Sequence, residues 1–486
     1  MSADTRDESA RPDEHPFVAA FPALDQAIAL AKEYLSTLPS RPVARDITAE
    51  TLAKALDEPL PERGSDPAEV VAEWFSRAEV GIVASPGPRF FGFVNGGSTP
   101  AALAGDWLAS AIDQNAGVWL GSPAAAQTEE VVLRWLKALF GMPADWAGGL
   151  TTGATMANLT GLAAARQWAG RQLGFDPAQD GLGGHPPIPV LSSAAIHASA
   201  IKALGILGLG RGSVWTVPAP GGAVDLGAMA AELERVDGPA IVVGNAGEVN
   251  TGAFDDLNGL ADLCAKHPGG AWLHVDGAFG LFATVSPRFA SLISGIERAD
   301  SVAADAHKWL NVPYDCGFAF VRDARMLREA FAATGAYLAP PAGAGWDPHT
   351  HVPEMSRRFR ALSAWCALKS LGREGYREIV ERCCANAKAF ADWIAAYPGL
   401  ELLAPARLNI VLFRLAPAGM SPEQTDALNR DAVAAIRADG RAFVSGTVWE
   451  GRAALRAAFD NWATTERDVA ILQEAVADVV KRLLGA

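Results

Sequence analysis

Asp305-Ala306-His307-Lys308-Trp309 closes a short apolar run and is followed by LNVPYDCG rather than by a long helix. A lysine so placed can reach a cavity at the carboxyl ends of parallel strands, where open α/β sheets bind ligands. Taken alone, it reads better as a surface lysine after a strand, and its neighbours change that reading. Thirty-two residues earlier, Asp276 ends AWLHVDGAFG, a run apolar enough to be buried. A buried carboxylate is costly unless it meets a cation, or at least caps the turn that follows it. A protonated ring nitrogen of the pyridine type is such a cation. An Asp that keeps the ring cationic lets it accept electrons released from a substrate. Gly277 and Ala278 are small, as a flat ring lying against the backbone requires.

Upstream, LTTGATMANLTGLAAAR (150–166) is a Gly-containing turn running into a helix, and such N-termini hold phosphate through free amides and the helix dipole. Ala154 and Thr155 would supply backbone amides and a hydroxyl, although Thr and Gly also serve as plain caps. His197 follows a predicted strand on a Ser/Ala-rich turn. Its imidazole has either a structural role or the task of stacking on a ring and hydrogen-bonding a substrate.

The elements that must position these residues are an α/β frame. From Phe17 to about Ala84 apolar residues recur at helical spacing in PALDQAIALAKEYLSTL and DPAEVVAEWFSRAEVGIV, and SPGPRFFGFVNGGSTP (85–100) then reads as a loop that packs on something else. Strands are predicted at 187–193, 213–219, 240–245, 271–276, 301–306 and 317–322, with helices between them, the pattern of a mostly parallel sheet. After Gly372 a long helix to about Tyr397, a strand at 408–415, another helix and strands near 442–445 and 454–459 make a small α+β unit. The expected division is a helical N-terminal segment with a pocket loop (1–100), a large domain (101–372) and the small C-terminal domain (373–486).

A net charge of −14 argues against a nucleic-acid or anionic-membrane partner and in favour of a small molecule. No apolar run is long enough to span a bilayer, and the N-terminus lacks a signal-peptide pattern, so a cytoplasmic location is expected, with the first dozen or so residues frayed. Five cysteines at 264, 316, 366, 383 and 384 have neither CxxC nor zinc-finger spacing and are expected to be reduced thiols.

In order along the chain, PRFFGF, SPAAAQTEEVVLRWL, TTGATMANL, the IHAS histidine, WLHVDGAFG, DAHKWLNVPYDCG, SRRFRAL and LRAAFDNWATTERDV resemble the group II pyridoxal-phosphate decarboxylases, over about residues 85 to 470. That family includes the aromatic amino acid, histidine and glutamate decarboxylases. The resemblance implies an aspartate-aminotransferase-like α/β fold (fold type I), pyridoxal 5'-phosphate bound in the large domain, and an obligate homodimer with active sites at its interface. By position it makes Lys308 the Schiff-base lysine, sets His307 beside the phosphate, puts Asp276 and Ala278 on the ring and stacks His197 on it. Ala154 and Thr155 hold phosphate, and Asn245 stands where relatives often have Thr near the cofactor. Phe93, Val94 and Asn95 line the substrate pocket, with Trp119 as a further wall.

The implied reaction is decarboxylation of an L-amino acid to the amine, with aromatic or bulky apolar side chains favoured by the PRFFGF loop. Relatives commonly use a loop tyrosine in returning a proton to Cα. Here the tyrosines are at 34, 314, 337, 376 and 397, and the loop APPAGAGWDPHTHVPEM has none. His349 and His351 on that loop are candidate substitutes, or else solvated loop residues. Met156 and Glu248 also depart from the family's residues. An aldehyde synthase or another carbon-carbon lyase therefore stands as an alternative, and a catalytically silent cofactor-binding dimer as a more remote one.

Overall fold

The computed structural model describes residues 18, 20–333 and 345–485. The N-terminal stretch expected to fray, Tyr337 and residues 339–344 of the Tyr-free loop lie outside them.

Among the described residues twelve strands form two sheets: β1 (Phe90–Phe91), β2 (Ala147–Thr151), β3 (Val190–Ser193), β4 (Val214–Val217), β5 (Ala240–Asn245), β6 (Ala271–Asp276), β7 (Ser301–Asp305), β8 (Gly317–Val321), β9 (Leu400–Leu402), β10 (Ile410–Leu415), β11 (Phe443–Trp449) and β12 (Arg452–Ala458). The larger sheet has the order β2-β8-β7-β6-β5-β3-β4. β8 runs antiparallel to both its neighbours, while β7, β6, β5, β3 and β4 pair in parallel. Parallel strands need crossover connections. Helices Ala198–Ile206, Leu226–Leu233 and Leu257–Lys266 supply them between β3, β4, β5 and β6. Helices cover both faces, so AIVVGN and AWLHVD are near-continuous apolar runs rather than alternating ones. In register, Asn245 of β5 stands beside Asp276 of β6, and Asp276 beside Ala303 of β7. The strand ends thus bring Ser193, Asn245, Asp276 and Asp305 to one edge.

The smaller sheet has the order β1-β11-β12-β10-β9. PRFFGF, read from sequence as a loop, instead contributes β1, which pairs in parallel with Phe443 and Val444. Phe90 stacks on Phe443 at 4.7 Å between ring centroids. β2 was not predicted either. Its AGGLT carries two glycines, and the strand exists because β8 supplies a partner ladder. The long helix begins at Arg360, not after Gly372. It continues to Ala396 across Gly372, whose φ of 61° and ψ of −173° interrupt it where the domain boundary was expected.

At the N-terminus, helices Phe21–Thr37 and Ala49–Leu56 bury none of their residues. Phe21, Leu24, Ile28 and Trp74 are exposed. A wide apolar groove lined by Tyr34, Leu35, Leu38, Leu103, Trp107 and Trp462 runs alongside. Among the described residues no helix is long and apolar enough to cross a membrane.

Candidate active site

The carboxyl ends of β5, β6 and β7 open on a recess lined by His197, Asn245, Asp276, Ala278, Phe279 and Lys308, among others. It is much smaller than the apolar groove, which holds no chemistry-bearing cluster of this kind. Lys308 lies three residues beyond β7, its side chain only 16% exposed, with Nζ 2.8 Å from Asp305 Oδ2. The other oxygen of Asp305 accepts from the amide of Ala154 and lies 3.3 Å from His307 Nε2. Burial works to raise the Asp305 carboxyl, but Lys308, His307 and the Ala154 amide outweigh it and hold the group below its usual range. Burial pushes the His307 imidazole down, with Asp305 opposing. Gly153, with φ 144°, caps the helix Ala154–Gln172. A Cβ there would stand 3.0 Å from His307 Cε1 and 3.2 Å from Asp305 Oδ1, so the turn is closed tightly around the strand end. Thr155 follows in the first helical turn.

Asp276 is buried at the end of β6. Its Oδ2 accepts from Asn158 Nδ2 at 2.9 Å and its Oδ1 from the Ala278 amide at 3.1 Å. His197 caps the helix Ala198–Ile206, its Nδ1 accepting from the Ser199 amide at 3.2 Å with Ser199 Oγ at 2.7 Å. Asn245 is fixed from below by Asp255, which accepts from its amide at 2.7 Å, and burial lifts that carboxyl to about 6 against those bonds. Glu248, buried beside the recess, closes the next turn on Asn250 and Thr251. Met156 packs against the apolar cluster behind the helix.

The pocket loop meets this site through its backbone. Phe93 and Val94 both have φ near 60°, a region costly for side chains of their kind, and a Cβ on Gly96 would strike the Lys308 carbonyl at 1.8 Å. Val94 and Asn95 are buried, with Asn95 Nδ2 bonded to the Ser85 carbonyl. Phe93 is 66% exposed and Trp119 lies against Gly345, its amide bonded to Asp347, so the structure brings neither into the recess of its own chain.

His349 and His351 are not solvated. His349 Nδ1 lies 3.1 Å from the Gly117 carbonyl, while His351 Nδ1 takes Trp346 Nε1 at 3.2 Å and Thr350 Oγ1 at 2.9 Å. Burial pushes His351 down to about 4, so it carries no acidic proton near neutrality. Neither lines the recess of its own chain, and the expectation of solvated loop residues is corrected accordingly: their loop is packed, not open. Among the described tyrosines, Tyr314 lies beside the site, its ring 4.2 Å from that of His307, with burial pushing its phenol up to about 12.

Sequence reasoning also missed Asp305, Asn158, His274 and Asp460. Asp460 follows β12, is buried, and has Oδ2 without a hydrogen-bond partner. Burial raises it to about 7 despite Lys308 and Arg456 nearby. A carboxyl raised on folding favours the native state below its unfolded value, near 4, and this contribution is lost as pH rises through 7. Asp460→Asn is therefore expected to gain stability over the parent at pH 8, on the order of a few kcal/mol, and to lose that advantage below pH 4. Denaturant unfolding of cofactor-free protein across that range checks it. An advantage that does not change with pH would contradict the assignment.

Three observations fit a phosphorylated pyridine aldehyde. A primary amine and a buried carboxylate share one recess. Asp276 takes its hydrogen bonds from two neutral donors, which leaves its charge for a cation. His307 Nδ1 is buried beside the Gly153 turn with no partner.

Residues 50–416 match the family described as the pyridoxal-dependent decarboxylase conserved domain. An aromatic-L-amino-acid decarboxylase from Bacillus atrophaeus is 31% identical, covering 91% of this chain and 92% of that protein. An L-2,4-diaminobutyrate decarboxylase from Rhizobium meliloti is 32% identical over 88% and 84%. Plant aldehyde synthases are also among the relatives. The crystal structure of Oryza sativa TDC with PLP and tryptamine superposes with a TM-score of 0.89 at 26% identity, covering 98% of this chain and all of that one.

Proposed function

From the premise that this chain belongs to the pyridoxal-dependent decarboxylase family, and is a pyridoxal-phosphate-dependent carboxy-lyase, we propose that it converts an aromatic or bulky apolar L-amino acid to its amine and carbon dioxide. One observation carries the reading: Lys308 and Asp276 meet in one recess with His197, at the carboxyl edge of the parallel strands. The aromatic relative and the PRFFGF loop support the substrate class.

When bound, pyridoxal phosphate supplies an electron sink for the pair left on Cα as carbon dioxide departs. The chain's residues do the rest. Lys308 is the amine that would hold the cofactor's aldehyde carbon and give it up to the substrate's amino group. Asp276, whose oxygens accept from neutral donors, would face the ring nitrogen and hold its proton. Ala278, His197 and Asn245 line the same recess, where the small Ala278 would leave room for the ring against the backbone, His197 would cover its face and Asn245 would border it. Ala154, Thr155 and His307 would hold the phosphate, the Ala154 amide being bonded to Asp305 in its absence. Asn95 and Val94 fix the loop against Lys308 and so narrow the pocket.

A second outcome, in which molecular oxygen and water are consumed and the products are an aldehyde, carbon dioxide, ammonia and hydrogen peroxide, is favoured by the loop without tyrosine and by the aldehyde synthases among the relatives. Incubating cofactor-loaded protein with a panel of amino acids, 2,4-diaminobutyrate included, and reading amine and aldehyde together by mass spectrometry separates the outcomes. Amine from Trp, Tyr or Phe supports the first, aldehyde selects the second, and neither product from any amino acid overturns both.

We also propose that the protein works as a homodimer. The support is the exposed apolar face of the N-terminal helices beside an apolar groove, with Phe93 and Trp119 available to a partner's pocket. Leu24→Glu with Ile28→Glu is expected to shift the sedimentation coefficient from dimer to monomer. An unchanged dimer would place the interface elsewhere. Five unpaired cysteines, four of them buried, suit a reducing cytoplasm.

A further inference from the structure

Asp276 ends a chain of buried hydrogen bonds that the reaction does not itself require. Trp272, His274 and Asp276 alternate along β6 and so share one face of the sheet. The helix Ala154–Gln172 lies against that face. Its Asn158 is fully buried, and a Cβ on its Gly161 would stand 2.6 Å from His274 Cε1, so the helix approaches closely only because that residue is glycine.

The direction of the chain is fixed by its carboxylate end. An indole N–H only donates. Trp272 Nε1 donates to Ser301 Oγ at 2.8 Å, and at the other end the Asp276 carboxylate only accepts, so Asn158 presents its NH2 to it and its Oδ1 to His274 Nε2–H; the Nδ1 of a neutral His274 then accepts a hydrogen bond from the Ser301 hydroxyl, also at 2.8 Å. A neutral His274 then carries its hydrogen on Nε2 and donates to Asn158 Oδ1 at 2.9 Å. Burial pushes His274 down to about 4, with Asp276 opposing, so it is neutral at working pH. With its oxygen occupied, Asn158 turns its NH2 group toward Asp276 Oδ2 at 2.9 Å and Ser199 Oγ at 3.1 Å. The Ser199 hydroxyl passes its proton to His197 Nδ1 at 2.7 Å, which leaves the Nε2 hydrogen of His197 free for the recess.

We infer that Asn158 and His274 are positioning residues for the cofactor's ring nitrogen: through an amide whose orientation His274 fixes, they aim Asp276 without neutralising it. A cation in place of either would satisfy the carboxylate and weaken its hold on the ring. An apolar side chain would let the carboxylate turn away. The inference rests on the reading that Asp276 faces the ring nitrogen.

The test compares equilibrium binding of pyridoxal phosphate with that of its analogue carrying carbon in place of the ring nitrogen, using the full chain stripped of cofactor. Wild type should prefer the natural cofactor. Asn158→Leu should lose roughly tenfold to a hundredfold in affinity for pyridoxal phosphate, the range for a hydrogen bond to a charged group, with little change toward the analogue. His274→Leu, which frees the Asn158 amide to flip, should lose in the same sense. His274→Gln, which keeps an N–H donor, should recover most of the preference. Full retention of the preference in Asn158→Leu and His274→Leu overturns the inference and leaves the placement of Asp276 standing. An equal loss for both ligands also overturns it, marking the pair as packing residues. A wild type indifferent to the ring nitrogen overturns the placement of Asp276 and the inference with it.

Discussion

Lys308→Ala is expected to lower turnover of the best amino acid by at least about a thousandfold, ~4 kcal/mol of transition-state free energy. The reason is geometric. Lys308 is the amine that lines the recess, and it stands on the short turn after β7 with Asp305 holding Nζ at 2.8 Å. The Gly96 contact on its carbonyl and the bond from the Asn311 amide to the same oxygen fix the backbone beneath it. Among the described residues, no other lysine lines the recess. Initial rates of amine or aldehyde formation at saturating cofactor check this. Turnover within tenfold of wild type would remove Lys308 from the chemistry.

Asp276→Asn is expected to lower turnover by roughly a hundredfold to a thousandfold, the range seen when one preorganised electrostatic group is removed. The amide is nearly the same size, so the recess keeps its shape. Its charge is gone, and with it the means of keeping a proton on the ring nitrogen. Asn158 Nδ2 and the Ala278 amide, which now donate to a carboxylate, would in part face an NH2 group. Asp276→Glu, which keeps the charge and displaces it, should fall between the two. Steady-state kinetics with the substrate found in the amino acid panel check the order. An Asn variant as active as wild type would show that the ring needs no anionic partner here.

Much of the frame was legible because buried parallel strands are written as unbroken apolar runs. AIVVGN and AWLHVD begin and end where β5 and β6 do. The polar residues that close such runs, Asn245 and Asp276, were legible for the same reason: they stand where the apolar pattern stops. β2 was not, since two of its five residues are glycine and its pairing partner β8 lies 166 residues further on in register at Thr151 and Gly317. β1 was not, since Phe90 pairs with Phe443, and local pattern carries no trace of so distant a partner. His274 had a signal, a histidine two residues before the Asp and so on the same face of a strand. Asn158 had one too, an amide in the middle of an Ala-rich helix. Both were passed over as element interior. Asp460 lay inside the family-like segment LRAAFDNWATTERDV, but its burial, with its carbonyl bonded to Asn311 Nδ2, depends on a partner 149 positions away and is a property of the assembled fold.

The central claim is that the amine of Lys308 holds the cofactor, with Asp276 facing the far side of the ring. Borohydride reduction of the cofactor-loaded protein, followed by proteolysis and peptide mass spectrometry, tests it most directly. The phosphopyridoxyl mass should appear on the peptide carrying Lys308 and be absent from Lys308→Ala. Label confined to other lysines, or none in a protein saturated with cofactor, would contradict it.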